Sequence, residues 1–234
     1  MIAVPASSDV IAIVPVRAGS KGLPGKNVMP VAGMPLYLHA VHQGLRTVGQ
    51  VLLSSDIDGI DDASLPAGCT LCRRPDKLAA DDTPMDAVIR HLIEDRALAG
   101  KTLVLLQATS PLRQDSDIRA AIALFGTQDH DMVLSVVERD RGVLKYGTLD
   151  GDRFKAMRAQ RYCFFNRQQL PPVHGPNGAV YVFDADRFVA VNGFPSDRIG
   201  AIEMPTERSV DIDSLADLRH VEDMMRMRNS GKQG

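Results

Sequence analysis

Glycines and cations stand together near the start of the chain. The segment 17–27 reads RAGSKGLPGKN, with three glycines and the cations Arg17, Lys21 and Lys26. Glycine lets backbone N–H groups approach a ligand closely, and such donors beside three cations suit a polyphosphate. The glycine spacing differs from the dinucleotide-binding pattern, and Asn27 after Gly25-Lys26 excludes the Walker A pattern. The segment therefore predicts a loop that binds an anion with several phosphates.

The charges around this loop are one-sided. No acidic residue occurs between Asp9 and Asp56, a window that also contains Arg46, although the whole chain has 27 basic and 29 acidic residues. A solvated basic face is one interpretation, because charge runs are often only that. A positive field without internal neutralisation, which holds an anionic ligand near residues 17–27, is the other and the one we expect. The balanced total charge argues against a general nucleic-acid binder.

A second pattern with chemical meaning is Asp211-Ile212-Asp213. In an extended segment, side chains two positions apart point to one face, about 6–7 Å apart along the chain. Two carboxylates so placed suit Mg²⁺ or Mn²⁺. These are hard ions that take oxygen ligands and can also bind the phosphates of a substrate. Alternatively, Asp213 caps the helix that follows and Asp211 is solvated. The spacing alone leaves both interpretations open.

The elements that must position these residues alternate between short apolar strands and helices. Strands are predicted at 11–16, 51–53, 102–107, 132–137 and 178–183, with a short edge strand at 199–204. Helices are predicted after Pro35, from Thr83 as N-cap with Pro84 as first helical residue, over 116–125, and after Ser214. This alternation predicts an α/β fold, a mostly parallel sheet flanked by helices on both faces. The glycine-rich loop then follows the first strand, where open α/β sheets bind ligands.

Residues 138–172 interrupt this alternation. They are rich in arginine, glutamine and aromatic residues and show no clear period. Arginine and aromatic side chains are enriched in the cores of protein interfaces, so the segment predicts an arm that forms a homodimer. A mobile loop on a monomer is the alternative. With 234 residues, the chain is otherwise predicted to be a single domain, 1–234, that carries this arm.

The cysteine count and the hydropathy pattern bear on location. Three cysteines, Cys69, Cys72 and Cys163, are too few and too odd in number for a disulfide framework, which favours the cytoplasm. Cys69 and Cys72 lack a second pair to complete a zinc site and stand in a strand-like stretch, so a packing role is expected. No apolar run approaches the roughly 18–20 residues of a membrane helix, and the first ten residues lack the features of a signal peptide.

Seven sequence blocks resemble the CMP-sialic acid synthetases (acylneuraminate cytidylyltransferases). In chain order they are VRAGSKGLPGKN, SSD, RRPDKLAADD, LLQATSPLR, RQQLP, PNGAVY and SVDID. The resemblance implies a Rossmann-like nucleotide-diphosphate-sugar transferase fold and a homodimer. It also implies transfer of CMP from CTP to the anomeric hydroxyl of a nonulosonic (sialic-type) sugar acid, with Mg²⁺ or Mn²⁺ as cofactor.

The same resemblance implies a role for individual residues. Those implied to bind the nucleotide are Arg17, Ser20, Lys21, Gly22, Lys26, Asn27, Arg74, Thr83 and Gln107. Those implied to bind the sugar are Gln107, Ser110, Arg167, Gln168 and Asn177. Asp211 and Asp213 are implied to bind the metal, and with Arg17 and Lys21 they form the implied catalytic group. The chain departs from the family pattern at Ala108, where proline is usual, at Ser55, where threonine is common, and at Gly175, where some members carry arginine.

Two other function classes remain open. A glycosyltransferase would also use an Asp-x-Asp metal site in an α/β fold, but it would consume a nucleotide sugar. A non-catalytic nucleotide-binding module would not need Lys21 or Asp211, and both are present. The cationic loop favours the cytidylyltransferase, because a triphosphate carries more charge than a nucleotide sugar.

Overall fold

The computed structural model of the chain describes residues 9–19, 22–80 and 82–230. The strands in these residues are β1 Val10–Pro15, β2 Pro30–Val31, β3 Met34–Pro35, β4 Val51–Ser55, β5 Cys69–Arg73, β6 Thr102–Leu106, β7 Met132–Arg139, β8 Gly147–Asp150, β9 Arg153–Ala156, β10 Val173–Asp184 and β11 Ile199–Glu203. The α-helices are α1 Leu36–Thr47, α2 Met85–Asp95, α3 Asp115–Phe125, α4 Ala185–Ala190 and α5 Leu215–Ser230. None of these helices combines the length and the apolar character needed to cross a membrane.

Seven strands form one sheet, in the order β11-β7-β10-β6-β1-β4-β5. Six of them share one direction, and β10 runs antiparallel to both β6 and β7. The predicted α/β fold with a mostly parallel sheet is confirmed. The strand predicted at 178–183 belongs to β10, which begins earlier, at Val173, and runs against its neighbours. Its apolar run predicts burial but carries no information about direction.

Helices cover both faces of the sheet. In β1, Ala12 and Val14 pack into one core with side chains of α1 and α3. The alternate residues Ile11 and Ile13 pack into the other core with side chains of α2 and α4. Because both faces are buried, the strand is apolar throughout rather than alternating with polar residues. Polar functional side chains are therefore expected at the ends of the strands.

The predicted start of α2 is wrong by one residue. Met85 is the first helical residue, and Pro84 takes the N-cap position with an extended backbone, φ −68° and ψ 148°. Thr83 is not the N-cap, and no side chain caps this helix. Proline fixes φ near −65°, which fits the first turn of a helix and extended backbone equally well. A proline therefore marks this helix start without fixing the exact residue.

The arm, residues 138–172, contains local structure that was not predicted above. It includes the hairpin β8–β9 and three short 3-10 helices, at Arg141–Lys145, Gln160–Phe164 and Arg167–Gln169. Such short pieces leave no hydrophobic period in a sequence. Several of its large apolar side chains are exposed, namely Val143, Tyr146, Leu149, Phe154, Met157 and Phe164.

The three cysteines carry free thiols. Cys69 and Cys72 lie in β5, an outer strand of the sheet, and Cys72 is buried. Burial raises the pKa of both thiols, to about 12 for Cys69. They are therefore poor metal ligands and poor nucleophiles, as the predicted packing role requires.

Candidate active site

A pocket of about 340 Å³ opens at the carboxyl ends of β1 and β6. The next strand of this sheet along the chain, β4, pairs with one side of β1, and β6 pairs with the other side. Open α/β sheets bind ligands where the strand order diverges in this way. The wall of the pocket consists of Pro15, Val16, Arg17, Gly19, Gly22, Lys26, Asn27, Arg74, Met85, Gln107, Ala108, Thr109, Asp211 and Asp213.

Eight of the site residues suggested by the sequence share this wall: Arg17, Gly22, Lys26, Asn27, Arg74, Gln107, Asp211 and Asp213. Ser20 and Lys21 lie outside the described residues. Thr83, Ser110, Arg167, Gln168 and Asn177 are not part of the wall. Ala108 and Thr109 are also wall residues and belong to the block LLQATSPLR, in which Thr109 was expected to lie between nucleotide and sugar. Met85 is a wall residue that carries no sequence signal beyond its place at a helix start.

Hydrogen bonds at both ends hold the glycine-rich loop in place. The backbone N–H of Ala18 donates to Oδ1 of Asp56 at 3.0 Å. At the other end, Nδ2 of Asn27 donates to the carbonyl oxygen of Arg17 at 2.9 Å. A side chain at Gly22 would collide with the backbone of Asp213. The loop can therefore lie directly against the Asp211–Asp213 segment only because position 22 is glycine.

Lys26 joins the loop to the aspartates. Its side chain is buried, and Nζ donates to the carbonyl oxygen of Ile212 at 2.6 Å and to Oδ1 of Asp213 at 2.8 Å. Outside the pocket wall, Arg46 pairs with Asp115 at 2.8 and 2.9 Å. Two of the four cations in the window are thus paired with carboxylates from outside it. Their carboxylate partners come from distant parts of the sequence, which a local charge count misses.

The segment from Asp211 to Asp213 is anchored through its middle residue. Ile212 is fully buried, and its backbone N–H donates to the carbonyl oxygen of Thr109 at 2.9 Å. The two flanking aspartates both reach the pocket wall. Desolvation by the surroundings raises the pKa of Asp211, and the nearby negative charge of Asp213 adds to this rise. A cation in the pocket would relieve both effects.

The capping alternative for Asp213 is wrong, because Ser214 caps α5. Oγ of Ser214 accepts a hydrogen bond from the backbone N–H of Asp217 at 3.2 Å. In return, Oδ2 of Asp217 accepts one from the backbone N–H of Ser214 at 2.8 Å. These reciprocal bonds form a capping box, with an aspartate in its third helical position. Asp213 stands one residue before the cap and is 72% exposed.

The donor set at this end of the pocket fits a divalent ion that is shared with substrate. Among the residues that the structure describes, no group of three or more His, Cys, Asp or Glu side chains could hold a metal alone. Asp211 and Asp213 supply two carboxylates of the hard oxygen type that Mg²⁺ and Mn²⁺ prefer. Mg²⁺ usually keeps several waters and binds substrate phosphates, so two protein ligands are enough.

Arg74 forms another part of the wall, directly after β5. The residue is buried, with Nε 3.3 Å from Oγ of Ser54 and Nη2 3.3 Å from its carbonyl oxygen. Burial lowers the pKa of Arg74, while the charge of Asp56 opposes this shift. The guanidinium is thus held rigidly, as a group that reads a ligand should be.

Two of the residues outside the wall are buried in the protein. Asn177 accepts hydrogen bonds at Oδ1 from Oγ of Ser135, at 2.5 Å, and from the backbone N–H of Ala179, at 3.2 Å. Its Nδ2 donates to Oγ of Ser209 at 2.9 Å. Ser110 is also buried, and its Oγ has no hydrogen-bond partner among the described residues.

Two others, Arg167 and Gln168, lie in the arm. With Arg139, Asp140 and Arg141 they line a separate cavity of about 300 Å³. Nη2 of Arg167 donates to Oδ2 of Asp140 at 3.0 Å. Within one chain, the structure therefore does not bring these two residues to the pocket.

Comparison with known proteins identifies the family. A family model described as cytidylyltransferase matches residues 11–169. The N-acylneuraminate cytidylyltransferase of Streptococcus agalactiae serotype V is 29% identical over 215 residues, covering 90% of this chain and 52% of that protein. The CMP-N,N'-diacetyllegionaminic acid synthase of Legionella pneumophila is 26% identical over 229 residues, covering 93% and 97%. The chain thus spans about half the length of the streptococcal relative and nearly all of the Legionella one.

A solved structure shows the same fold. The CMP:2-keto-3-deoxy-manno-octonic acid synthetase complexed with CTP matches with a TM-score of 0.70 at 14% identity, covering 94% of this chain and 100% of the other. The Rossmann-like, mostly parallel architecture is therefore confirmed. Since the family model matches more than half of its residues, the chain belongs to the cytidylyltransferase family, as the resemblance to the CMP-sialic acid synthetases implied.

Proposed function

We propose that this chain transfers CMP from CTP to the anomeric hydroxyl of a nonulosonic acid, giving the CMP-sugar and pyrophosphate. One observation carries the proposal: the cationic glycine-rich loop and the Asp211/Asp213 pair share one pocket wall, joined by Lys26. Such a pocket suits a triphosphate and its divalent ion. The relatives named for N-acylneuraminate and for diacetyllegionaminic acid support a nonulosonic acid as acceptor.

In this reaction the sugar hydroxyl attacks the α-phosphorus of CTP and pyrophosphate leaves in line. Catalysis then depends mainly on positioning and on electrostatic stabilisation of the phosphates. Arg17 and Lys21 would bind the triphosphate, with Lys21 facing the leaving pyrophosphate as a point charge. Asn27 contributes indirectly, because its bond to the carbonyl oxygen of Arg17 holds the loop closed.

Other wall residues would place the two substrates. Arg74 and Met85 come from the β5 and α2 side and would meet the cytosine and ribose. Gln107 follows β6 and would stand between nucleotide and sugar. Thr83 lies two residues before Met85 and would act only through the backbone that carries it.

Asp211 and Asp213 would hold Mg²⁺ or Mn²⁺, which when bound neutralises the α-phosphate and acidifies the attacking hydroxyl. Lys26 would orient Asp213, since Nζ fixes one carboxylate oxygen and the carbonyl oxygen of the preceding residue. These bonds support separate tasks for the cations, in which Lys26 organises the carboxylates. We expect Arg17 and, from its sequence position, Lys21 to bind the phosphates.

The proposed enzyme is a cytoplasmic homodimer that uses the arm as its interface. Exposed apolar side chains on the arm, among them Leu149, Phe154 and Phe164, support this proposal because interfaces bury such residues. A partner's arm would bring Arg167, Gln168 and their neighbouring arginines to the sugar side of the pocket. This arrangement would supply further cations for an acidic sugar.

A pyrophosphate-release assay tests the function. The protein is incubated with Mg²⁺, each of the four nucleoside triphosphates and a panel of nonulosonic acids. The proposal predicts release only with CTP and only when an acceptor is present. Consumption of a CMP-sugar without CTP turnover would instead identify a glycosyltransferase, and binding of CTP without any turnover would identify a nucleotide-binding module.

A further inference from the structure

Arg113 is a fully buried arginine whose hydrogen bonds all go to uncharged oxygens in the described structure. Nη1 donates to the carbonyl oxygens of Gln107, at 3.2 Å, and Ala179, at 2.5 Å. Nε and Nη2 both donate to Oε1 of Gln43, at 3.0 and 2.8 Å. Burial lowers the pKa of Arg113 to about 9, which still leaves the guanidinium charged at neutral pH.

The guanidinium joins three separate parts of the fold. Gln43 belongs to α1, Gln107 follows the end of β6, and Ala179 lies in the irregular part of β10 between Pro176 and Tyr181. Gln43 and Arg113 are bonded in both directions, because Nε2 of Gln43 also donates to the carbonyl oxygen of Arg113 at 2.5 Å. A planar fork of donors at fixed angles is what a junction of this kind requires.

Gly178 precedes Ala179 and lies beside the side chain of Gln107. Its φ of +78° is unfavourable for residues with a side chain, and an added Cβ would lie 2.9 Å from Oε1 of Gln107. The side-chain amide of Gln107 therefore lies against the bare backbone at position 178. Gln107 is also a residue of the pocket wall, so the backbone at position 178 limits where its amide can lie beside the pocket.

We propose that Arg113 and Gly178 are positioning residues, which together hold the Gln107 amide at the boundary between nucleotide and sugar. Arg113 fixes the backbone of Gln107 relative to β10, and Gly178 leaves the space that the amide occupies. Burying a charge is costly unless it is well hydrogen-bonded, so an arginine used only for packing could be replaced by an apolar side chain. The inference rests on the proposed function, because it assigns the task of Gln107 within that reaction.

A double-mutant cycle in catalytic constants tests this role. Arg113→Lys keeps the charge but loses the fork, and Gly178→Ala displaces the amide directly. We expect each to lower kcat by about 10-fold or more, because small misplacements of a site group are costly, with little change in the KM for CTP. In a Gln107→Ala background, neither change should lower kcat by more than about 2-fold. Equal effects in both backgrounds, or unchanged kcat in both single variants, would overturn the inference.

One control separates positioning from loss of stability. Ile118→Val removes a methylene from a fully buried residue of α3 that has no contact role here, so it should lower Tm without lowering kcat. Should Arg113→Lys fail to fold, Gly178→Ala alone completes the cycle with Gln107→Ala.

A readout that needs no activity keeps this inference distinct from the proposed function. The side-chain amide resonance of Gln107 in a ¹⁵N spectrum is assigned by its loss in Gln107→Ala. It should shift in Arg113→Lys and in Gly178→Ala but not in Ile118→Val. An unmoved resonance would overturn the positioning role whether or not the protein makes a CMP-sugar, whereas a wild-type protein without CMP transfer would overturn only the proposed function.

Discussion

Lys26 lies between the glycine-rich loop and the aspartates, and its Nζ bonds Asp213 across 187 positions of sequence. From the sequence, Lys26 and Arg46 both belong to a window without acidic residues. The structure pairs each of them with a carboxylate that the fold brings in. Residue types and spacing pointed to the loop and to the two aspartates, and the structure places Arg17, Lys26, Asp211 and Asp213 in one pocket wall. The sequence could not predict which of these cations form ion pairs within the protein, because their carboxylate partners are brought close only by the tertiary fold.

Mutation of the paired aspartates, Asp211 and Asp213, tests the proposed metal site. Asp211→Asn and Asp213→Asn each retain an oxygen but remove one negative charge from the proposed metal site. Activity with CTP and Mg²⁺ should fall by orders of magnitude in both variants, while Tm stays close to that of the wild type. Rates and melting temperatures measured side by side check this.

Asp223→Asn provides a matched control, because Asp223 is an exposed aspartate of α5, away from the pocket wall. It should leave both quantities unchanged. Full activity in both Asp211→Asn and Asp213→Asn would refute the metal site.

Lys21 gives the second prediction, which rests on the sequence. Lys21→Ala should lower turnover by about 10²-fold or more, the usual effect of removing one preorganised charge from a transition state. Lys101→Ala is the control, since Lys101 stands just before β6, at the opposite end of that strand from the pocket. Normal turnover in a folded Lys21→Ala protein would remove Lys21 from the mechanism.

At the scale of elements, the start of α5 separates capping from catalysis. Ser214 makes the capping bonds and Asp213 precedes it, so the two neighbours should respond differently to mutation. Ser214→Ala should destabilise the protein by about 1 kcal/mol, the usual loss for an N-cap, and change kcat only slightly. Chemical denaturation and the pyrophosphate assay measure the two effects. A stability equal to that of the wild type would contradict the assignment of the cap.

The elements also show where sequence patterns lose information. The apolar runs at β1, β4, β6 and β7 predicted strands correctly, because these strands are buried on both faces. The direction of β10 was not predictable, since pairing partners leave no mark on a single strand. The hairpin β8–β9 does have a signal, the two-residue turn Gly151-Asp152, which the search for a hydrophobic period missed. Asn177 shows that a specific sequence block does not reveal what its side chain contacts. Its amide forms hydrogen bonds within the protein and is not part of the pocket wall.

For the whole molecule, a buried carboxylate predicts part of the pH dependence of stability. Asp131 at the start of β7 accepts from Arg198 at 2.7 Å and lies 3.1 Å from Arg187. The hydrogen bond from Arg198, followed by the charge of Arg187, holds the pKa of Asp131 below its ordinary value. Its stabilising contribution is therefore present above an ordinary carboxyl pKa of about 3.9 and is lost as pH falls through the lowered pKa.

Asp131→Asn tests this dependence. The variant should melt at a lower temperature than the wild type at pH 7, and the difference in Tm should shrink as pH falls below about 5. Because all other carboxylates are common to both proteins, the difference isolates Asp131. A difference that stays constant down to pH 3 would show that its ionisation does not contribute.

The arm carries the prediction about assembly. Phe164 is 84% exposed in the single chain, which an interface would explain. Phe164→Glu should convert a dimer into a monomer in light scattering and leave the Tm of the domain nearly unchanged. Met227→Glu, at a residue of α5 that is 73% exposed, is the control and should leave the mass unchanged. A wild-type protein that is monomeric at micromolar concentration would refute the homodimer.

The identity and stoichiometry of the products test the proposed CMP transfer most directly. The wild-type protein is supplied with CTP, Mg²⁺ and a nonulosonic acid, and the reaction is followed by ³¹P NMR and mass spectrometry. The proposed reaction predicts a new phosphodiester with the mass of the CMP-sugar, formed in equal amount to pyrophosphate, and neither product when the sugar is omitted. Conversion of CTP to free CMP without sugar incorporation, or the absence of any phosphodiester across the panel of nonulosonic acids, would contradict it.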